Sequence, residues 1–226
     1  MAILRGLVQE ITPPILVHGI RKILHAKSGH NSSDECTVEK DPEWYDKAFE
    51  ANNHWCKHYT ESPYYFLWTV IVDRIVRENV DSILDIGCGS GQLASLLRDK
   101  GIKAYQGFDF SSKRIEQAKK VCPEFLFTVD DAFQTNLFST YDYNAVVCTE
   151  FLEHVERDIE IITRIKSGTK FYGTVPNFPY VSHVRHFIER NQVYSRYKKY
   201  FKEFEVDIFL ANAKGKTFYL LEGTKL

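Results

Sequence analysis

The chain has 226 residues, 44% of them hydrophobic and 26% charged, enough to bury a substantial core as one decorated domain. Its formal net charge of -1 argues against broad nonspecific nucleic-acid binding, which draws on excess basic charge. Five cysteines, odd in number and without a CxxC pair, point away from a disulfide framework or a zinc ribbon and toward reduced thiols in a cytoplasmic protein.

Residues 1–40 read as an amphipathic helix followed by a polar linker. Pro13-Pro14 opens the run Ile15–Leu24, whose apolar residues recur at helical spacing, with Arg21, Lys22 and Lys27 toward its end. A helix packed on the main domain is the first reading, and a peripheral membrane contact through residues 13–27 is the second. Arg5, Glu10 and the proline pair interrupt any signal-like stretch, and no run approaches the roughly 20 apolar residues that span a bilayer.

Residues 41–80 form a helical, aromatic-rich cap. Asp41 is placed to cap a helix that starts at Pro42, and a second helix is expected from Pro63 to Glu78. Most of its aromatics, Trp44 and Tyr45 through Trp68, belong in a core. Some of them, with His54, His58 and Tyr59, suit the mouth of a substrate site.

From residue 81 to 226 strands and helices alternate. Strands are expected at Ile83–Ile86, Ala104–Phe108, Phe125–Val129, Ala145–Cys148 and Lys170–Val175, with helices over 92–100, 112–121 and 152–165. Two last runs, Phe204–Leu210 and Thr217–Leu221, flank a short turn and read as a hairpin. The expected fold is α/β: a Rossmann-like, seven-stranded, mostly parallel sheet with helices on both faces and a C-terminal antiparallel hairpin, plus the N-terminal helical extension. In such sheets ligands bind beyond the C-terminal strand ends. That edge collects Asp85, Asp109, Asp130-Asp131, Thr149-Glu150 and Pro176-Asn177.

Between the first strand and its helix lies Gly87-x-Gly89-x-Gly91, whose third glycine comes too early for the GxGxxG dinucleotide fingerprint. Asp109 follows about 20 residues later, the separation at which an acid reaches ribose hydroxyls. Asp85-Ile86-Gly87-Cys88-Gly89-Ser90-Gly91, the later acids and the closing hairpin together resemble the class I S-adenosylmethionine-dependent methyltransferases over residues 70–226. The resemblance implies that Gly87, Gly89 and Gly91 pass under the methionine part of the cofactor, with Asp85 acting through water or the amino group. It implies Asp109 on the ribose diol and Phe110 against the adenine. Asp131-Ala132 resembles the pair whose acid accepts from the adenine amino group, with Asp130 as the competing choice.

The segment Glu150-Phe151-Leu152-Glu153-His154 resembles the E-x-x-E-H of metal-dependent members, such as small-RNA 2'-O-methyltransferases. That resemblance implies a divalent cation on Glu150, Glu153, His154 and a further histidine, His186 or His183. Without a metal, His154 or His183, near Glu150, would take the acceptor's proton. The basic stretch Val184–Lys202 reads as a solvated helix with one aromatic stripe, or as a basic rim for an anionic substrate.

The implied activity is S-adenosylmethionine-dependent O-methylation of a small-molecule or glycan acceptor. A sugar hydroxyl leads, because Tyr59-x-x-Ser62-x-Tyr64-Tyr65 after the N-terminal element resembles small methyltransferases of surface-polysaccharide pathways. The alternatives are metal-assisted methylation of an RNA 2'-hydroxyl or of a quinone or phenol precursor, and a noncatalytic cofactor-binding subunit.

Overall fold

The computed structural model describes residues 38–212 and 214–226. The helix expected within residues 1–40, and with it the membrane contact through 13–27, lies outside the described residues. Among these, no helix is long and apolar enough to cross a membrane.

Seven strands form one sheet in the order β3-β2-β1-β4-β5-β7-β6. β1 (Ser82–Ile86), β2 (Ala104–Asp109), β3 (Leu126–Val129), β4 (Ala145–Thr149) and β5 (Lys170–Pro176) run parallel. β6 (Phe201–Leu210) and β7 (Thr217–Lys225) pair antiparallel, and β7 also lies antiparallel to β5. The expected sheet and hairpin are present.

Alternation along β1 shows why both faces are covered. Ile83 faces one layer and Leu84 and Ile86 face the other, because successive strand side chains point to opposite sides. The first layer holds α2 (Tyr65–Arg77), α3 (Gln92–Asp99) and α4 (Ser112–Val121). The second holds α5 (Leu137–Thr140), α6 (Asp158–Arg164) and α7 (Arg190–Tyr197). Leu67, Ile71 and Ile75 of α2 are fully buried at helical spacing; each such side chain contributes about 2 kcal/mol on burial. Arg74 on the same helix pairs with Asp207 and Glu222, tying it to the hairpin.

The cap begins with α1 (Pro42–Glu50), where Asp41 accepts from the Trp44 amide as expected. Asp46 then reaches the start of α4, accepting from Ser111 Oγ at 2.5 Å, Ser112 Oγ at 3.0 Å and the Lys113 amide at 3.2 Å. One carboxylate thus satisfies donors that a helix start leaves open. The following single-turn segments are bolted to α3 and the loop before it. Ser90 Oγ donates to the Trp55 carbonyl at 2.6 Å and Gln92 Nε2 to the Lys57 carbonyl at 2.8 Å.

Three boundaries differ from expectation. The helix expected over 152–165 is only α6, because the carbonyls of Leu152, Val155 and Glu156 take hydrogen bonds from the Arg185 guanidinium. Carbonyls held from outside cannot build helical turns. The helix expected over 184–202 shrinks to α7 with a short turn at Lys198–Tyr200. β6 starts at Phe201, three residues early, because an irregularity between Lys202 and Glu205, with Glu203 at φ 50°, breaks the alternation.

Candidate active site

The strand order reverses beside β1, whose neighbours are β2 and β4. Beyond the strand ends at that point opens a cavity of about 660 Å³, where an open α/β sheet binds its ligand. The cap roofs it with Trp44, Tyr45, His54, Trp55, Tyr64 and Trp68. Of the cap residues expected at the mouth, His54 lines the cavity. His58 and Tyr59 do not: His58 is exposed, and the Tyr59 hydroxyl donates to Asp99 at 2.8 Å.

Gly87 and Gly89 of the glycine loop line its floor, whereas Gly91 does not line the cavity and packs against Ala118. Gly87, at φ 72°, would place a Cβ 2.5 Å from Phe151 Cδ2, and Gly91, at φ 81°, would place one 2.9 Å from the Ala118 Cα. Both the backbone angle and the space exclude a side chain. Asp85, at the end of β1, is 1% exposed and accepts from the Tyr105 hydroxyl at 2.6 Å. Asp109 accepts from the Gly89 amide at 3.1 Å and the Ser111 amide at 2.8 Å. Its carboxylate therefore both shapes the loop and keeps lone pairs for a ligand.

Phe110, Asp130, Asp131 and Ala132 line the adjoining wall. Asp131 takes the Phe133 amide at 2.8 Å and Gln134 Nε2 at 2.9 Å, whereas Asp130 accepts from the Asp131 amide through one oxygen. The other Asp130 oxygen takes no protein donor among the described residues, so both acids stay available to a ligand.

At the opposite end stand Glu150, Glu153, His154 and His183. Glu150 has φ 52°, an uncommon conformation for a residue with a side chain. Thr174 Oγ1 holds it, accepting from its amide at 2.9 Å and donating to its carboxylate at 3.0 Å. Glu153 is fully buried, and neither carboxylate oxygen has a hydrogen-bond partner among the described residues. Its Oε1 lies 3.8 Å from His154 Nε2. The Nδ1 of His154 lies 2.9 Å from the Ser182 carbonyl, and the Nδ1 of His183 lies 3.1 Å from the Phe178 carbonyl. A carbonyl only accepts, so each Nδ1 carries the proton and each Nε2 presents a lone pair. Burial holds His154 down to about 3 and His183 to about 4, so both rings are neutral near pH 7.

Ligand atoms of Glu153, His154 and His183 lie within 4.8 Å of one another. Of the expected ligands this cluster contains Glu153 and His154, and of the two candidate histidines it contains His183; the Glu150 carboxylate takes the Thr174 hydroxyl, and His186 is exposed and does not line the cavity. Burial with no donor pushes the Glu153 carboxyl well above the ordinary carboxylate range, a penalty that a cation offsets.

The chain matches the family described as methyltransferase domain over residues 53–202, about two thirds of its length. The chain belongs to this methyltransferase family. It is 34% identical over 88 residues to the ribosomal protein L11 methyltransferase of Bacillus pumilus (strain SAFR-032), a match covering 39% of this chain and 24% of that protein. The matched stretch thus spans about a quarter of that relative. Among solved structures, the N-methyltransferase NodS from Bradyrhizobium japonicum WM9, in complex with S-adenosyl-l-homocysteine, aligns with a TM-score of 0.62 at 14% identity, over 82% of this chain and 99% of that one. Magnesium protoporphyrin IX methyltransferase from Synechocystis PCC 6803, with bound S-adenosylmethionine, aligns with a TM-score of 0.59 at 13% identity, over 87% and 100%. The fold is that of these solved methyltransferases.

The basic stretch at 184–202 is not a rim of the methyltransferase cavity, since none of its cations lines it. Arg196 instead makes a two-pronged pair with buried Asp158, at 2.8 and 2.6 Å, and the Tyr197 hydroxyl joins at 2.7 Å. With Arg185 on the Leu152–Glu156 carbonyls, this network fixes the loop that carries Glu153 and His154. These partners lie some 30 to 40 residues apart, and no local pattern announces them.

Burial raises the Asp85 carboxyl to about 7 although Tyr105 donates to it. Its folded value thus lies above its unfolded one. Between about pH 4 and pH 7 the unfolded chain gives up the proton while the folded methyltransferase keeps it, so stability falls across that window. Asp85→Asn removes this loss. Its effect on urea unfolding of the ligand-free protein should be more favourable at pH 8 than at pH 4.5, by on the order of 2 kcal/mol. An equal effect at both pH values refutes the buried-acid account.

Proposed function

We propose that the methyltransferase transfers its methyl group to a hydroxyl of a compact, ring-bearing acceptor, a sugar first among them. One observation carries this reading: two imidazoles with free Nε2 lone pairs line one end of the cavity, and the buried Glu153 carboxyl stands behind them within 4.8 Å. A hydroxyl oxygen attacks poorly until its proton is removed, whereas an amine attacks through its own lone pair. Apparatus for accepting a proton therefore suits oxygen. In this reading His183 or His154 takes the hydroxyl proton at Nε2 and orients the oxygen into the cavity, where a bound S-adenosylmethionine would supply the methyl group. The Phe178 and Ser182 carbonyls hold the Nδ1 protons and steady the charge that forms.

The acceptor end is walled by Tyr64, Phe178 and Tyr180, with Lys216 Nζ 4.4 Å from the Phe178 ring centre. Flat faces with one cation suit a ring bearing hydroxyls or an acidic group. Among the described residues Cys56, Cys88, Cys122 and Cys148 carry free thiols, in keeping with the cytoplasmic setting we propose.

The partnerless Glu153 favours a metal-assisted form of the same reaction. Glu153, His154 and His183 would hold the divalent cation, whose contribution is to lower the pKa of a bound hydroxyl. The test is transfer of labelled methyl to sugars, nucleotide sugars, phenols, short RNA and amines, with chelator and then Mg²⁺, Mn²⁺ or Zn²⁺. Label on hydroxyl acceptors, lost at least tenfold on full chelation and restored by one ion, is expected. Activity unchanged under full chelation removes the cation, and transfer to amines alone overturns O-methylation. Cofactor binding without any transfer favours a noncatalytic subunit.

A further inference from the structure

Asn177, the residue after β5, holds the turn between β6 and β7 against the cavity. Its amide donates to the Thr217 carbonyl at 3.0 Å, and the Thr217 amide donates to Asn177 Oδ1 at 2.8 Å. Asn177 Nδ2 also donates to the Gly215 carbonyl at 3.1 Å. Gly215 and Thr217 flank Lys216, so these three bonds fix the backbone that carries it.

Lys216 is exposed, yet it lines the cavity. A lysine on an open turn ordinarily keeps its ammonium in water. Here the Nζ lies 4.4 Å from the Phe178 ring centre, a cation–π contact that holds it at the wall. Lys214, two residues earlier on the same turn, is exposed and does not line the cavity. Among the described residues no carboxylate pairs with the Lys216 ammonium, whose contact is the Phe178 ring.

The same wall carries the proton acceptor. The Phe178 ring centre lies 6.2 Å from that of His183, and the Phe178 carbonyl takes the Nδ1 proton of His183. Tyr180 flanks the His183 ring at 5.6 Å. The free Nε2 of His183 and the Lys216 ammonium thus serve one space, bounded by flat faces. Lys40 and Arg114 also line the cavity, but they come from the segment before α1 and from α4. Asp109 ends β2, and Asp130 and Asp131 follow β3. Both strands lie on the other side of β1 from β4, β5 and β7 in the sheet. An anion is therefore drawn to the β5–β7 side and repelled from the aspartates, which fixes its orientation.

We propose that Lys216 binds an anionic group on the methyl acceptor, so that the substrate is an acidic ring compound, a uronic acid or a sugar phosphate, with its hydroxyl presented to His183. The inference rests on the O-methylation reading and names its substrate class. A carboxylate and a phosphate offer the ammonium the same charged oxygens. A lysine is a point charge without the fork of an arginine, so it accepts either.

Transfer of labelled methyl to matched acceptors tests it: glucose against glucuronic acid, and glucose against its phosphate monoester. The acidic member of a pair should show a kcat/KM at least about tenfold higher, the worth of one charge-assisted hydrogen bond. The pair that shows the preference tells a carboxylate from a phosphate. In Lys216→Met, with an unchanged unfolding midpoint, the preference should fall below about threefold through the KM of the acidic acceptor. Lys216→Arg should keep the preference and Lys216→Glu should invert it, which a merely structural turn residue would not do. A wild-type protein without the preference, or a Lys216→Met protein that retains it, overturns the proposal and leaves O-methylation standing. Equal losses on both members of a pair do the same. If no hydroxyl acceptor takes the label, the O-methylation reading fails and this inference with it.

Discussion

Asp109→Ala should weaken S-adenosylmethionine binding at least tenfold, about 1.4 kcal/mol, while the protein stays folded. Two losses combine in that variant. In the proposed cofactor pose a charged acceptor for the ribose hydroxyls disappears, and such hydrogen bonds contribute about 1.5 to 3 kcal/mol. The amides of Gly89 and Ser111 also lose their acceptor, which frees the glycine loop. Asp109→Asn separates the two, because its remaining carbonyl oxygen can still take one of those amides. It should fall between wild type and alanine. Calorimetry that finds wild-type affinity in Asp109→Ala refutes the ribose assignment.

Glu153→Gln should lower turnover at least a hundredfold, within the range that general acid-base groups supply, with cofactor affinity within threefold of wild type. Glu153 is fully buried and does not line the cavity, so it acts on the donor only through His154 and His183. Glutamine keeps the volume but cannot ionise to hold a cation. His183→Ala should behave alike, since His183 lines the cavity and presents its free Nε2. Labelled-methyl turnover and calorimetry on the same preparations separate chemistry from binding. Turnover within twofold of wild type for Glu153→Gln removes the cluster from the reaction.

The sheet was legible because its strands are short apolar runs punctuated by acids and glycines. Ser82–Ile86 and Ala104–Asp109 fall within a residue or two of expectation, since their alternation and terminal turns are local properties. The start of β6 was hidden where Glu203 interrupts the period. The loop at Leu152–Glu156 looked helical because its local pattern is helical; Arg185, about 30 residues away, overrides it.

The site divides in the same way. Asp85, Asp109 and the glycines were readable because strand ends and loop spacing place them without distant help. The E-x-x-E-H segment announced Glu153 and His154, but not that Thr174 would hold Glu150 or which of His183 and His186 would join them. Asp46 and Arg114 had no sequence signal. Their partners come from another segment, 65 residues on for Asp46 and from the cap for Arg114, and side-chain contacts at such separation leave no periodicity.

The central claim is that the cofactor cavity and the Glu153–His154–His183 cluster form one methyl-transfer site. A crystal structure with bound S-adenosylhomocysteine tests it most directly. The ribose should rest on Asp109, with the sulfur open toward His154 and His183 and free space between for an acceptor oxygen. A sulfur turned away from those histidines, or adenine lying where the cluster faces the cavity, contradicts it.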